Sequence, residues 1–409
     1  MIKNRDFNIL FVGRFIANFG DSMYSIATML LVYHLTNSVF YSGFALFLTS
    51  SMGIVQVLLS PMLDRINIKK SLISFQFIQA LLLLTIPLLH HFDQLTVAKI
   101  LVIMPLVTLM NQLIYPSQIS LLPKILKEDE LVKGNSLFTI AYQGSDALFN
   151  AISGVVIALV GIYSVYYLNS MTFLINGILF MFLSQKIAQI NNSAEASTKA
   201  NTIKHYFANF KEGLAFWKSP VLLPILIGVI IINFATTSIY ANLPSFSTST
   251  IHYSFLMAAS GIGILIGSLL INRLKLTQKP LNKTYILSIF TVGVLWALVA
   301  LINIDTITAQ ALTVVLFFIG WVPVGILNII SQTIVQLSVP ANKLGMAIGS
   351  MVGISITLAP LGALLGGFLG ALIGSDQTIF YSACLIIFVG CYWVTKKSIR
   401  SLSTLENIS

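Results

Sequence analysis

Ser60-Pro61-Met62-Leu63-Asp64-Arg65-Ile66 closes one long apolar run of this chain, and Ser268-Leu269-Leu270-Ile271-Asn272-Arg273-Leu274 closes another 208 residues later. Ser117-Gln118 and Ser331-Gln332 stand 214 apart near the ends of two further runs. Ser153-Gly154-Val155-Val156-Ile157-Ala158-Leu159-Val160-Gly161 and Gly366-Gly367-Phe368-Leu369-Gly370-Ala371-Leu372-Ile373-Gly374 stand 213 apart. One such pair means little in so apolar a sequence. Three in chain order at a nearly constant offset mark an internal repeat.

The runs between these markers read as membrane spans. Of the 409 residues, 56% are hydrophobic and 9% are Asp, Glu, Lys or Arg, where a soluble domain carries about 25% charged residues. A mean hydropathy of +0.90 leaves too few polar groups to cover a water-facing surface. About 20 apolar residues cross the roughly 30 Å hydrocarbon core. Spans are expected near 9–33, 41–63, 71–91, 98–119, 135–160 and 163–185, then near 219–243, 251–272, 283–303, 309–333, 345–373 and 377–396. Glycine and proline inside them are compatible with membrane helices, whose neighbours satisfy the freed backbone groups. Met1-Ile2-Lys3-Asn4-Arg5-Asp6 leads into the first run without a small-residue cleavage site, so that span is expected to stay.

The expected fold class is all-α integral membrane, with twelve transmembrane helices as two six-helix bundles. Six spans separate the copies, so the bundles share one orientation and form a parallel pseudo-two-fold repeat. The expected domains are an N-terminal bundle over 1–185, a cytoplasmic linker over 186–218 and a C-terminal bundle over 219–409. Asn191 to Thr198 is small and polar, as a flexible linker would be. Phe207, Phe210, Leu214 and Trp217 follow at the spacing of a short amphipathic helix on the inner membrane surface.

The net charge of +10 lies in short loops between apolar runs, so it concerns topology and nucleic acid is no partner. With the N-terminus inside, all of the 23 Lys and Arg except Lys99 and Arg14 fall in inner segments, as the positive-inside rule requires. An even number of spans also puts the C-terminus inside. Cys384 and Cys391, the two cysteines, stand seven apart in the last run and read as small hydrophobes. There is no metal-spaced His/Glu cluster, nucleophile elbow or Walker A motif, which argues against a membrane-embedded enzyme or an ATP-driven pump.

Of 13 acidic residues, only Asp21 and Asp146 lie well inside spans. An ionisable group there costs about 2.5–3.5 kcal/mol on insertion scales and usually faces a cavity or a partner. Low dielectric disfavours the charged form, which allows a carboxyl to take up and release a proton. Both are candidates for proton coupling or cation binding; a hydrogen-bonded structural role is the alternative. Arg14, Asn18 and Asp21 share one helical face. Arg14 lies about 10 Å from Asp21 along the axis at ~1.5 Å per residue. A direct ion pair is therefore not expected; Arg14 either reaches for the inner interface or takes part in substrate binding or coupling, and Arg14 and Asn18 are both candidates for the cavity.

Further polar candidates for the cavity are Asn111, Gln112 and Tyr115 in the fourth span and Tyr142, Gln143 and Asn150 in the fifth. The second half offers Asn233, Tyr240, Trp321, Asn328 and Gln332. A few such groups in an apolar cavity orient an amphipathic ligand; equally, they hydrogen-bond between helices. His34, His90, His91 and His252 fall near the outer face, as surface residues or as sensors of external pH.

Asp64, Arg65, Lys69 and Lys70 follow the pattern G-x-x-x-D-R-x-G-R-[RK], with Ser60 and Asn67 in place of glycines. On this motif and the repeat, the chain resembles the major facilitator superfamily over essentially its whole length. Asn4-Arg5-Asp6-Phe7, Phe19-Gly20-Asp21, Leu122-Pro123 and Leu131-Val132-Lys133-Gly134-Asn135-Ser136 are similar to the drug:proton antiporter branch with macrolide-efflux and siderophore-export proteins. The resemblance implies a proton-coupled exporter of amphipathic small molecules, using the proton gradient and no cofactor. It implies a monomer in a bacterial-type plasma membrane, whose partners are the lipid bilayer and a small-molecule substrate. It also implies a cytoplasmic gate at Asp64, Arg65, Lys69, Lys70 and Arg273; a topology-setting charged loop is the plain alternative. Two departures leave direction and coupling open. The Gly-Pro-rich motif of the fifth helix is replaced by Gly144-Ser145-Asp146-Ala147 without a proline, and the fourth span has no basic residue. Import or facilitated diffusion of a small metabolite is the alternative.

Overall fold

The computed structural model describes residues 4–63, 67–127, 130, 134, 137–138, 141, 145–184, 217–338 and 353–402. Among these there is no strand. The helices are α1 (Arg5–Thr36), α2 (Val39–Leu63), α3 (Ile68–His91), α4 (Val97–Ile125), α5 (Ser145–Val160) and α6 (Ile162–Met181). After the linker come α7 (Leu222–Phe246), α8 (Thr250–Arg273), α9 (Leu281–Leu301), α10 (Ile307–Ser338), α11 (Ala359–Ile373) and α12 (Ser375–Thr395). A short α13 (Lys397–Arg400) ends the described chain.

Among the described residues, 11 helices are long and apolar enough to cross a membrane. The twelfth, α5, has 16 described residues. Each helix carries apolar side chains on its outward face too, with Leu81, Leu269 and Leu287 all exposed, as lipid contact requires. The all-α, twelve-helix membrane fold expected from the apolar runs is thus the one observed. Of the linker, only Trp217 and Lys218 are described, in a turn, and the proposed amphipathic helix lies outside the described residues.

The described residues form two compact units, Met1–Thr36 with Ser51–Ile203 and Asn37–Ser50 with Lys204–Ser409. In the first, α6 packs along α1 and α3, α5 along α1, and α4 along α3. In the second, α12 packs along α7 and α9, α11 along α7, and α10 along α9. These four pairings of the first unit recur six helices later. The backbone repeats as well. Gly161 between α5 and α6 has φ +84°, and Gly374 between α11 and α12 has φ +93°. With ψ near 155° at both, this conformation is essentially open to glycine alone.

One end of the first unit is tied by polar side chains. Asn4 Nδ2 donates to Ile125 O at 2.5 Å, and Asp6 Oδ1 accepts from Ser184 N at 2.9 Å. Lys69 Nζ donates to Leu183 O at 2.5 Å, just beyond the C-terminal end of α6, where a cation complements the helix dipole. Phe7, Leu10, Leu72, Leu121 and Phe180 bury together beside these ties.

Candidate functional site

Within α1, Arg14, Asn18 and Asp21 do share one face, but they join differently from the axial spacing. Arg14 Nη2 stands 3.3 Å from Asp21 Oδ2. Arg14 also donates to Asn18 Oδ1, from Nε at 2.8 Å and from Nη2. The expectation of no direct pair fails because Cα separation ignores reach. An extended arginine spans more than a helical turn, and the Asp21 side chain tilts back toward the N-terminus. Nor does Arg14 reach an interface: its side chain is 3% exposed, against 19% for Asp21. The carboxylate is the more exposed member of the pair, and the guanidinium is the covered one.

Asn18 turns its amide nitrogen away from Asp21, to Ala141 O and Ser145 Oγ at 2.8 Å each. On the far side of Asp21, Asn111 Nδ2 of α4 donates to Oδ1 at 2.8 Å. Gln79 Nε2 of α3 donates in turn to Asn111 Oδ1 at 2.6 Å and to Val107 O at 3.1 Å. Gln76 Nε2 lies 3.4 Å from Gln79 Oε1. Tyr115 lies with its ring 5.8 Å below the Arg14 guanidinium, a cation–π distance. The carboxylate therefore accepts from a guanidinium and from an amide whose own oxygen is held. An ion pair taken out of water needs such additional bonds to offset its desolvation.

Sequence reasoning found Arg14, Asn18, Asp21, Asn111 and Tyr115 of this network, and missed Gln76 and Gln79. Their signal was present: two glutamines at i and i+3 in an otherwise apolar span. Gln112 is half-buried and outside the chain of bonds. Asp146 and Asn150 lie on α5, with side chains outside the description, while Tyr142, Gln143, Asp64 and Arg65 lie outside the described residues altogether. Lys70 and Arg273 are exposed. His252 departs from its expected surface position: it is buried, with Nε2 3.0 Å from Thr313 Oγ1, because α8 turns this residue onto α10.

The second unit holds a cavity of about 170 Å³, lined by Asn233, Thr236, Trp321, Asn328, Ser331, Trp393 and aliphatic side chains. Tyr240 stacks on Trp321 at 5.8 Å and 14°. Four of the five second-half candidates thus meet at or beside one hollow. Gln332 does not line it, although it is exposed. Asn233 Nδ2 donates to Ser355 O at 2.8 Å, as Asn18 Nδ2 donates to Ala141 O at the same distance. Asn18 and Asn233 are repeat-mates making one bond. Among the described residues, no group of three or more His, Cys, Asp or Glu could hold a metal.

The first unit thus carries a polar, charge-bearing network and the second a cavity. The sequence model of the Major Facilitator Superfamily matches residues 10–359, and the chain belongs to that superfamily of secondary transporters. It is 25% identical over 311 residues to the uncharacterized MFS-type transporter YfiS of Bacillus subtilis (strain 168), covering 73% of this chain and 72% of the relative. The crystal structure of a mutant of the nucleoside transporter NupG superposes with a TM-score of 0.68 at 13% identity, over 96% of this chain and 99% of the other. A POT family transporter in complex with a thioalcohol-conjugated peptide superposes with a TM-score of 0.67 at 11% identity, over 96% of each chain. At these identities the likeness is one of fold.

Proposed function

We propose that this transporter exports an amphipathic small molecule in exchange for protons, with Asp21 as the proton-carrying group. The observation that carries the reading is the Arg14–Asp21 pair, with its carboxylate partly exposed and its guanidinium covered. Protonation of Asp21 neutralises one member and releases Arg14 from the pair. Deprotonation restores it, so each proton taken up or lost switches a contact inside the first unit. Asn111 and Gln79 hold the carboxylate in place, and Asp146 is a second candidate carboxyl.

Outward direction and the amphipathic, macrolide- or siderophore-like substrate class rest on the resemblance of the α1 and α4 segments to efflux proteins. The Lys and Arg distribution supports cytoplasmic termini, and the D-R motif supports a gate at Asp64, Arg65, Lys70 and Arg273. Lys69 is already held by α6, so its part in that gate is to brace the helix end. Residues 1–185 and 219–409 act as the two working halves, joined by 186–218.

The test uses everted membrane vesicles from cells overproducing the protein, with an imposed pH gradient and radiolabelled erythromycin among the probes. Gradient-dependent accumulation inside everted vesicles is the expected result. Accumulation only in right-side-out vesicles would assign import instead.

A further inference from the structure

The cavity of the second unit stands where the charged network stands in the first. Asn18 and Asn233 are matched by their common bond to a carbonyl four residues ahead of α5 and of α11, those of Ala141 and Ser355. Four residues before and three residues after Asn18 are Arg14 and Asp21; at the same steps from Asn233 are Val229 and Thr236. At the 213-residue offset of the glycine-rich repeat, Gln76 and Gln79 correspond to Ile289 and Val292. All four of these second-half residues line the cavity. The second copy has exchanged an ion pair and two amides for aliphatic and hydroxyl side chains, and a hollow has opened in their place.

We propose that this hollow is a subsite for a neutral, planar heteroaromatic ring system, one or two fused rings with a hydrogen-bonding edge, carried by the transported molecule. The proposal rests on the reading of the chain as a transporter of amphipathic molecules. Among the described residues, none that lines the cavity is charged, so an ion placed against them would lose its hydration without a partner. Its volume of about 170 Å³ is close to the roughly 150 Å³ at which an engineered apolar cavity takes up benzene. A ring enters, and a macrocycle stays outside.

Flatness is selected by the walls. Trp321 is held between Tyr240 and Trp296, the latter at 4.9 Å, so its plane is fixed. Rigid aromatic faces favour offset or edge contact with a second ring. The polar edge is selected by atoms left to bond. Asn233 has committed its nitrogen to Ser355 and offers its oxygen, while Asn328 is exposed at the cavity wall.

Equilibrium dialysis of the full chain in lipid nanodiscs against quinolin-2(1H)-one, its fully saturated analogue and naphthalene tests the proposal. The flat lactam should bind saturably and about tenfold or more tightly than the saturated one, a difference well resolved by such titrations. Trp321→Leu should erase that preference. Asn328→Leu, at an exposed position, should weaken quinolinone binding and leave naphthalene binding as it was. Equal affinity for the flat and saturated lactams overturns the proposal. So does a preference untouched by Trp321→Leu in folded protein, or, where that variant does not fold, quinolinone binding untouched by Asn328→Leu. Gradient-driven transport by the unaltered protein is measured in parallel. Its absence beside an intact ring preference defeats the transport reading alone, and transport without ring preference defeats the subsite alone.

Discussion

Arg14 is covered and Asp21 is partly open, and this asymmetry sets what each substitution should do. Arg14→Ala leaves a mostly buried carboxylate without its cation, and breaking such a pair costs about 3–5 kcal/mol. The lower end applies here, since Asp21 keeps some solvent. Thermal unfolding in detergent should therefore show a large loss for Arg14→Ala and a smaller one for the double variant Arg14→Ala/Asp21→Ala. With Asp21→Ala alone completing the cycle, the departure from additivity should be about 0.5–3 kcal/mol, as contacting residues usually give. Gln79→Leu removes the donor to Asn111 Oδ1 and should cost about 1–3 kcal/mol, the usual cost of an orphaned buried acceptor. At this scale the sequence was partly readable. Charge inside an apolar run picked out Arg14 and Asp21, because such residues are rare in spans for a physical reason. Their contact was not readable from axial rise, since side-chain reach and tilt decide it. Gln79 was passed over because its bonds to α4 depend on which face of α3 meets α4, and one sequence does not give that face.

The helices themselves were the most readable level. Apolar length fixes a span whatever its neighbours do, so the expected spans and the observed helices coincide to within a turn or two at most ends. α4, running to Ile125 beyond the expected 119, and α10, running to Ser338 beyond 333, overrun because helices continue past the apolar stretch that defines a span. The turns between α5 and α6 and between α11 and α12 carry the matching glycines, and a Cβ added to either meets nothing within 4 Å. Gly161→Ala and Gly374→Ala should therefore destabilise through backbone strain alone, each by about 1–3 kcal/mol. Matched thermal denaturation of the two variants checks this: similar losses are expected, whereas one neutral variant would mean that one turn adopts a different backbone.

Over the whole molecule, the repeat legible in three short sequence pairs reappears as repeated helix pairings, repeated glycine turns and one repeated asparagine bond. The sequence also indicated that intramembrane charge lies in the first half only. It did not reveal the counterpart, a neutral cavity at the equivalent place, because voids arise from packing rather than from any residue's identity. On the proposed function, the two copies divide the work, the Arg14–Asp21 pair of the first answering to protons and the neutral hollow of the second to substrate. Coupling should then be separable from movement of substrate. In proteoliposomes, the unaltered protein should show both substrate counterflow and accumulation driven by a pH gradient. Asp21→Asn should keep counterflow and lose gradient-driven accumulation. An Asp21→Asn protein that still concentrates substrate at the expense of the pH gradient would contradict the assignment of the proton to Asp21.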